Sequence, residues 1–169
     1  MKKNKVVFLD RDGVINYDYG YVYKKENLKF ISGVIKSLKQ LQELGYMLII
    51  ITNQSGIGRG YFTVEQYLDF TDYMITLLKQ EGINIEKVYY CPHTDEENCN
   101  CRKPKIGLFE KAINEYNIDL DNSYVIGDNE RDLCICDKTK IKGIIVNNNS
   151  NKYIVKNNLE DAVNYIIEN

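Results

Sequence analysis

The sequence predicts an α/β protein with a single Rossmann-like, doubly wound parallel sheet that carries helices on both faces. Short, nearly continuous apolar segments alternate along the chain with segments whose apolar residues recur at helical spacing. This alternation is typical of strand–helix–strand units with right-handed crossovers. A chemically useful side chain also ends each of four apolar segments: Asp10, Thr52, Cys91 and Asp128. Because parallel strands share one direction, these four residues are expected at the same edge of the sheet, where such folds bind ligands.

The first strand is predicted at Val6–Leu9, and it runs directly into Asp10-x-Asp12-Gly13. Side chains alternate along an extended segment, so Asp10 and Asp12 leave the strand end on the same side. Gly13 permits a tight turn there. Two carboxylates at one strand end can hold a divalent cation, attack an electrophile or move a proton. The alternative interpretation is a solvated acidic turn.

A tyrosine-rich loop, Tyr17–Phe30, separates this strand from a helix predicted at about residues 33–44. The next strand, Tyr46–Ile51, is apolar throughout, as expected for a strand that is covered on both faces. Thr63-Val64-Glu65-Gln66 has the pattern of a capping box and opens a helix that extends to about Glu81.

The remainder of the chain repeats this alternation. Elements are predicted as a strand at 88–90, a helix near 108–116, a strand at 124–127, a short helical stretch near 132–137, a strand at 143–146, a turn at 147–151 and a helix at 159–167. No internal repeat, linker or long insertion between strands interrupts the pattern. We therefore expect one domain over residues 1–169, without a separate cap domain.

Composition narrows the possible functions. The chain has 169 residues, of which 44% are hydrophobic and 27% charged, and a formal net charge of −2. It carries no basic segment that would indicate nucleic-acid binding. The basic start, Met1–Lys5, is followed by only four apolar residues, which is too short for a signal peptide, and no segment is predicted to span a membrane. These features predict a cytoplasmic protein that has no nucleic-acid or membrane partner.

A second strong signal follows the third strand, where four soft metal ligands occur within eleven residues. Their spacing is C-x-H-x5-C-x-C, and they are Cys91, His93, Cys99 and Cys101. Three thiolates and one imidazole complete a tetrahedral zinc site with no open position, which indicates a structural Zn²⁺ in an inserted loop at residues 91–101. The alternative is a loop with incidental cysteines. Cys134 and Cys136 have no histidine nearby and are interpreted as ordinary thiols.

Arg102 and Lys103 directly follow the last predicted zinc ligand. A neighbouring pair of cations is usually part of a solvated surface. Behind a metal-fixed loop and close to two acidic strand ends, the pair instead fits phosphate recognition. Lysine would act as a point charge and arginine as a bidentate donor.

Taken together, these motifs resemble the haloacid dehalogenase superfamily of phosphohydrolases. The matching segments are Asp10-x-Asp12-Gly13-Val14, Thr52, Lys103 and Gly127-Asp128-x-x-x-Asp132. The cysteine-rich loop and Thr52–Ile57 are similar to the zinc-containing branch, which includes heptose bisphosphate phosphatases and the histidinol-phosphatase domain. The resemblance covers about residues 6–146, and the segments 18–22 and 58–63 are more similar to the heptose enzymes. It implies a hydrolase that removes the 7-phosphate from heptose 1,7-bisphosphate.

The resemblance also implies roles for individual residues. Asp10 would be the nucleophile that forms a phospho-aspartyl intermediate. Asp12 would act as the general acid and then as the general base. Thr52 and Lys103 would stabilise the transferring phosphoryl group.

Mg²⁺ would be bound by Asp10, by the main-chain carbonyl of Asp12 and by Asp128. Asp132 is expected to orient its neighbours instead of binding the metal. The residues expected to hold the rest of the substrate are Asp18, Tyr19, Gly20, Tyr21, Asn53, Gln54, Ser55, Arg102 and Asn129. Tyrosines of the first loop would line this pocket or pack beneath the loop.

Two departures from the family pattern bear on the substrate. The five residues between His93 and Cys99 are closer in number to the histidinol-phosphatase domain, and Asn129 stands where relatives often have a basic residue. A histidinol-phosphate or other small phosphomonoester phosphatase is therefore the alternative function. A non-catalytic, zinc-stabilised binding module is the third possibility, although the intact acidic motifs argue against it. In every enzymatic case we expect a monomer that acts on a small phosphorylated substrate.

Overall fold

The computed structural model describes all residues, Met1–Asn169, and six parallel strands form one sheet. The strands lie in the order β3-β2-β1-β4-β5-β6. Their bounds are β1 Val6–Leu9, β2 Met47–Asn53, β3 Ile85–Cys91, β4 Tyr124–Gly127, β5 Lys142–Val146 and β6 Ile154–Lys156. This architecture confirms the predicted doubly wound parallel sheet.

Helices cover both faces of the sheet. They are α1 Val34–Glu43, α2 Val64–Gln80, α3 Gly107–Glu115 and α4 Leu159–Glu168, together with a longer 3₁₀ helix at Glu130–Asp137. None of the helices has both the length and the apolar character that crossing a bilayer requires. Within β1, Val7 and Leu9 belong to the core beneath α1, α2 and α4, whereas Val6 and Phe8 pack on the side of α3 and the 3₁₀ helix. Because side chains alternate along β1, this buried strand contributes residues to the hydrophobic cores on both faces of the sheet.

The predicted capping box at the start of α2 is confirmed. Thr63 Oγ1 accepts a hydrogen bond from the Gln66 amide at 3.1 Å, and Gln66 Oε1 accepts one from the Thr63 amide at 2.9 Å. Two otherwise unpaired amides of the helix terminus are thereby satisfied. This fixes the point at which the loop after β2 ends.

The structure corrects the prediction at several elements. A sixth strand, Ile154–Lys156, pairs with β5 inside a segment for which no strand was predicted. The third strand is longer than expected and spans Ile85–Cys91. The helical stretch after β4 is a 3₁₀ helix that already begins at Glu130. β6 has only three residues, and Glu86 and Lys87 are exposed in the first half of β3, so local hydrophobic patterning is weak in both strands.

The order of the strands reverses between β1 and β4, which are neighbours although they are distant in sequence. In doubly wound sheets, the loops at the carboxyl ends of two such strands diverge and leave a crevice. The loops after β1 and β4 begin with Asp10 and Asp128. The fold thus creates a crevice between the two segments that carry the acidic motifs.

Candidate active site

Three carboxylates meet at this crevice. Oxygen atoms of Asp10, Asp128 and Asp132 lie within 4.8 Å of one another. The ammonium group of Lys103 contacts two of them, at 3.1 Å from Asp10 Oδ1 and 2.8 Å from Asp132 Oδ1. Lys103 is only 2% exposed, and its Nζ also donates to the Ile51 carbonyl at 2.7 Å. The three clustered carboxylates therefore have one buried ammonium group beside them, which contacts only Asp10 and Asp132 of the three.

The pKa values reflect this excess of negative charge. Burial, followed by repulsion from Asp132, raises the pKa of Asp10 to about 8, although Lys103 opposes the increase. Burial and the same Asp132 carboxylate raise the pKa of Asp128 to about 6. Burial lowers the pKa of Lys103, but the adjacent Asp10 and Asp132 carboxylates outweigh it and raise the value. A group of oxygen ligands that repel one another in this way fits a hard divalent cation such as Mg²⁺.

Asp132 is held by the protein through both carboxylate oxygens. Oδ1 faces Lys103, and Oδ2 accepts a hydrogen bond from the Asn129 amide at 3.1 Å, at the start of the 3₁₀ helix. The backbone of Gly127 passes so close to Asp132 that a Cβ atom at residue 127 would overlap its side chain. These contacts are consistent with the predicted role of Asp132 in orienting its neighbours.

Gly13 brings the loop after β1 against Asp128. Its φ angle is +83°, and a Cβ atom at this position would overlap Asp128 Oδ2. Only glycine combines this backbone conformation with such a close approach. The glycine of the first motif thus allows the ends of β1 and β4 to converge.

The Asp12 carboxylate is held in place by side-chain donors from three residues. Arg11 donates to it through Nε at 3.1 Å and through Nη2 at 2.9 and 3.1 Å. Asn16 Nδ2 and Gln54 Nε2 donate at 2.9 and 3.0 Å. Arg11 is only 1% exposed, and its guanidinium lies over the ring of Phe70, 4.7 Å from the centroid. The sequence analysis identified Asp12 but not Arg11, whose guanidinium fixes the position of the Asp12 carboxylate.

Thr52 and Lys103, predicted to stabilise the phosphoryl group, are buried beneath the cleft and are not part of its surface. Thr52 Oγ1 accepts a hydrogen bond from Gln54 Nε2 at 3.0 Å. Asn53 forms a reciprocal pair with Lys103: its Nδ2 donates to the Lys103 carbonyl at 3.1 Å, and its Oδ1 accepts from the Lys103 amide at 3.0 Å. The end of β2 therefore anchors the residue that follows the cysteine-rich loop.

The four predicted zinc ligands are brought together by this loop. Their ligand atoms all lie within 4.8 Å of one another. The Cys91–Cys99 and Cys91–Cys101 sulfur pairs are 3.6 and 3.0 Å apart, and His93 Nδ1 is 3.4 and 3.2 Å from the sulfurs of Cys91 and Cys101. Zn–S bonds of about 2.3 Å in a tetrahedron place sulfurs about 3.8 Å apart, so the Cys91–Cys99 pair is close to this geometry and the Cys91–Cys101 pair is shorter. The donor set and its spacing fit Zn²⁺.

A cleft of about 430 Å³ opens above the acidic residues. Of the residues predicted to hold the substrate, eight line it: Asp18, Gly20, Tyr21, Asn53, Gln54, Ser55, Arg102 and Asn129. Tyr19 does not, since its side chain is exposed and stacks on Tyr17. Four further lining residues were not predicted from the sequence: Gly56, Arg59, Arg131 and Asn148.

Most tyrosines of the first loop pack against other aromatic rings and do not line the cleft. Tyr23 stacks on Phe62 with centroids 4.8 Å apart, and Tyr21 meets Tyr61 edge-on at the same distance. Tyr21 is the tyrosine that also lines the cleft. The aromatic contacts join the loop after β1 to the loop after β2 at the cleft's rim.

Sequence comparisons agree with this geometry. The family model described as polynucleotide kinase 3 phosphatase matches residues 5–162. The D-glycero-beta-D-manno-heptose-1,7-bisphosphate 7-phosphatase of Haemophilus ducreyi is 43% identical over 178 residues, which covers 96% of this chain and 98% of that protein. The protein of the same name from Pasteurella multocida is 41% identical and covers 97% of this chain and 91% of its own length. Both matches extend over nearly the whole of each protein.

Solved structures include the same class of enzyme. The D,D-heptose 1,7-bisphosphate phosphatase from B. bronchiseptica, complexed with magnesium and phosphate, superposes with a TM-score of 0.88 at 26% identity and covers 97% of this chain and 98% of that one. A second enzyme of this name, from Burkholderia thailandensis, has a TM-score of 0.73 at 23% identity and covers 98% of this chain and all of that chain, which supports the fold alone.

Proposed function

Since the chain belongs to the polynucleotide kinase 3 phosphatase family of haloacid dehalogenase-like phosphatases, we propose that it removes the 7-phosphate of D-glycero-D-manno-heptose 1,7-bisphosphate through a phospho-aspartyl intermediate. The observation that carries this proposal is the convergence of Asp10, Asp12 and Asp128 on one polar cleft, with Lys103 buried beneath it. Relatives of nearly the same length that bear this name support the substrate.

In the first half of the reaction, a carboxylate oxygen of Asp10 attacks phosphorus and the bond to the sugar oxygen breaks. Asp12 donates its proton to that leaving oxygen. In the second half, Asp12 accepts a proton from a water molecule that attacks phosphorus, which releases phosphate and regenerates the Asp10 carboxylate. Arg11, Asn16 and Gln54 keep the Asp12 carboxyl group in one position for both steps.

The metal sites follow from the donor sets. Asp10, the main-chain carbonyl of Asp12 and Asp128 would hold Mg²⁺, which when bound neutralises charge on the transferring phosphoryl group. Cys91, His93, Cys99 and Cys101 would hold a structural Zn²⁺. Lys103 follows the zinc loop by two residues and is clamped to Asn53, so an ordered loop keeps its ammonium group beside Asp10.

The charge of the cleft bears on the alternative substrate. Five aspartates line it, of which Asp10, Asp128 and Asp132 form the cluster that fits Mg²⁺, and Arg59, Arg102 and Arg131 line the same cleft. Histidinol phosphate carries a protonated amine, which these guanidinium groups would repel, whereas the second phosphate of a sugar bisphosphate would be attracted. This observation favours a bisphosphate over histidinol phosphate.

The test is phosphate release from the two anomers of heptose 1,7-bisphosphate and from histidinol phosphate, compared as kcat/KM with Mg²⁺ present. We expect at least one anomer to exceed histidinol phosphate by about 100-fold or more, which corresponds to the loss of one or two charge-assisted contacts. A higher kcat/KM for histidinol phosphate would refute the assigned substrate. An absence of turnover on every ester would refute the assignment as a phosphatase.

Loss of zinc should loosen the loop and reduce activity. We expect Cys101→Ser to lower the zinc content measured by elemental analysis and to speed amide hydrogen exchange between residues 91 and 103, because the loop depends on the metal for its order. Activity should fall by about 10-fold or more, since Lys103 follows the loop directly. Cys136→Ser is the matched control, because Cys136 lies outside the cluster. Equal zinc content in the two variants would contradict this assignment.

Magnesium should stabilise the protein more at alkaline than at acidic pH. The pKa values of Asp10 and Asp128 are raised to about 8 and about 6 in the folded protein. Without Mg²⁺, protonation of these two carboxyl groups therefore stabilises the fold fully below pH 4, and this stabilisation is lost as pH rises from 4 to 8. At pH 8, Mg²⁺ at 100 times its Kd should raise the free energy of unfolding by about 2.7 kcal/mol, which corresponds to ~5–10 °C in Tm. At pH 5 the increase should be much smaller. A Tm increase that is independent of pH would contradict a site built from these carboxylates.

A further inference from the structure

Arg11 has two hydrogen-bond partners in the protein, and one of them lies in the loop after β1. Its Nη2 donates to both oxygens of Asp12, at 2.9 and 3.1 Å, and to the main-chain carbonyl of Val22 at 2.7 Å. Its Nε adds a bond to Asp12 at 3.1 Å, whereas Nη1 is buried without a hydrogen-bond partner. Asp12 and Val22 are therefore the only acceptors of a guanidinium group whose side chain is 1% exposed.

The bond from Arg11 to Val22 is also the only hydrogen bond between residues 18–23 and the rest of the protein. Within this segment 18–23, Asp18 accepts from the Gly20 amide at 2.8 Å. All other hydrogen bonds of the loop involve residues before 18 or after 23. Aromatic contacts also hold the segment, but they leave its backbone groups without partners. The polar attachment of segment 18–23 therefore depends on Arg11 alone.

Segment 18–23 forms part of the cleft surface. Asp18, Gly20 and Tyr21 line the cleft. Tyr21 has a φ angle of +52°, a left-handed conformation that bulky residues rarely adopt and that persists only where surrounding contacts hold it. The next residue, Val22, is buried and carries the carbonyl that Arg11 binds. The contact from Arg11 thus holds the backbone directly beside a cleft-lining side chain.

The two partners of Arg11 are linked energetically because both use the same Nη2 group. If segment 18–23 moved away, the guanidinium would lose one of its two acceptors while remaining buried, and an unpaired buried donor is costly. The ring of Phe70, 4.7 Å from the guanidinium, restricts where the group can move to find another. A displaced segment therefore also weakens the alignment of Arg11 with Asp12.

We propose that Arg11 couples segment 18–23 to the general acid, so that contacts between the substrate and this segment hold the Asp12 carboxyl group in its catalytic position. This inference rests on the proposed function, in which Asp12 protonates the sugar oxygen. Arg11 is a positioning residue, since it does not line the cleft. Binding energy from the sugar is thereby used to raise kcat as well as to lower KM. A small ester that does not reach the segment gains nothing from the coupling.

The test compares heptose 1,7-bisphosphate with p-nitrophenyl phosphate in single-turnover reactions of the magnesium- and zinc-loaded enzyme, which isolate the first half of the reaction. Nitrophenolate leaves without a proton, whereas the sugar oxygen needs one. Lysine at residue 11 keeps the charge but lacks the paired Nε and Nη2 donors. For Arg11→Lys we expect the rate to fall about 10–100-fold on the heptose ester and less than about 3-fold on the aryl ester. Amide hydrogen exchange of residues 18–23 should become faster in the same variant.

Tyr23→Leu perturbs the segment from its other side. It removes the ring that stacks on Phe62 and changes neither Arg11 nor a residue that lines the cleft. We expect the same pattern at a smaller size, about 5-fold on the heptose ester, with faster exchange. Combined with Arg11→Lys, the two effects should be less than multiplicative, because both act through one contact. Tyr153→Leu is the matched control, since Tyr153 is a partly buried tyrosine outside the cleft, and it should leave both esters unaffected.

Three results would each overturn the coupling. These are equal losses on the two esters in Arg11→Lys, unchanged hydrogen exchange in segment 18–23, and fully multiplicative effects in the double variant. If Arg11→Lys does not fold, the criteria of equal losses and unchanged exchange apply to Tyr23→Leu. A parent enzyme that hydrolyses neither ester would instead overturn the proposed function, and the coupling with it.

Discussion

Replacement of Asp10 by asparagine is expected to reduce kcat by about 10⁴-fold or more, the scale seen when a nucleophile is removed from a preorganised site. An amide cannot displace the sugar oxygen to form an acyl phosphate, and the neighbouring groups cannot substitute for it. Phosphate release would be measured with Mg²⁺ present. Quenched reactions analysed by intact-protein mass spectrometry should show one added phosphoryl group on the parent enzyme and none on the variant.

The fold should survive this substitution. Asp10 is a carboxyl group whose pKa is raised by burial and by Asp132, so its removal relieves repulsion at neutral pH. Lys103 keeps Asp132 as a partner at 2.8 Å. Unfolding of the metal-free variant should therefore require at least as much free energy as that of the parent at pH 8. Asp69→Asn is the control, because it makes the same change from a carboxylate to an amide on the exposed surface of α2. Residual activity above about 1% of the parent value would exclude Asp10 as the nucleophile.

The positions of Asp10 and Asp128 in the active site could be predicted from the sequence, because each residue directly follows a strongly apolar segment. Asp10 and Asp128 directly follow strands that are buried on both faces, and strand direction then determines that they meet. Arg11 shows where such reasoning was incomplete. Strand alternation places residue 11 on the opposite side from Asp10 and Asp12, toward the interior, where an arginine requires partners. This signal was available in the sequence, but the identity of the partners, Asp12 and Phe70, was not.

Other features depended on the paths of loops, which local patterns do not specify. Arg59 and Arg131 are exposed, and no periodicity distinguishes them from other surface cations. The missed strand β6 has only three residues, of which Ile154 and Val155 are more than one third exposed, so it produces no buried pattern. The cluster of Cys91, His93, Cys99 and Cys101 was predictable for the opposite reason: its four residues lie within one short segment.

Replacement of Lys103 by methionine should affect both activity and stability. Asp10 and Asp132 would remain as buried carboxylates without their shared ammonium partner, and the Ile51 carbonyl would lose its hydrogen bond. Breaking a buried ion pair from one side typically costs about 3–5 kcal/mol. We expect a decrease of this size in the free energy of unfolding at pH 8, measured by denaturant titration without added Mg²⁺. Activity should fall by ~10²–10³-fold, as for the loss of one transition-state donor.

The pH dependence separates this charge effect from a simple packing defect. Without Lys103, the folded-state pKa of Asp10 should rise further above its unfolded value, because the buried carboxyl group loses its adjacent ammonium partner. Carboxyl groups with raised pKa values stabilise the folded protein when protonated, and this contribution is lost as pH rises. The destabilisation of Lys103→Met should therefore be largest at pH 8 and shrink toward pH 5. The double variant Lys103→Met/Asp132→Asn should recover part of the lost stability at pH 8 while remaining nearly inactive. Two results together would mean that Lys103 contributes through packing and not through its charge. These are a loss of stability that is equal at pH 5 and pH 8, and no recovery of stability in the double variant.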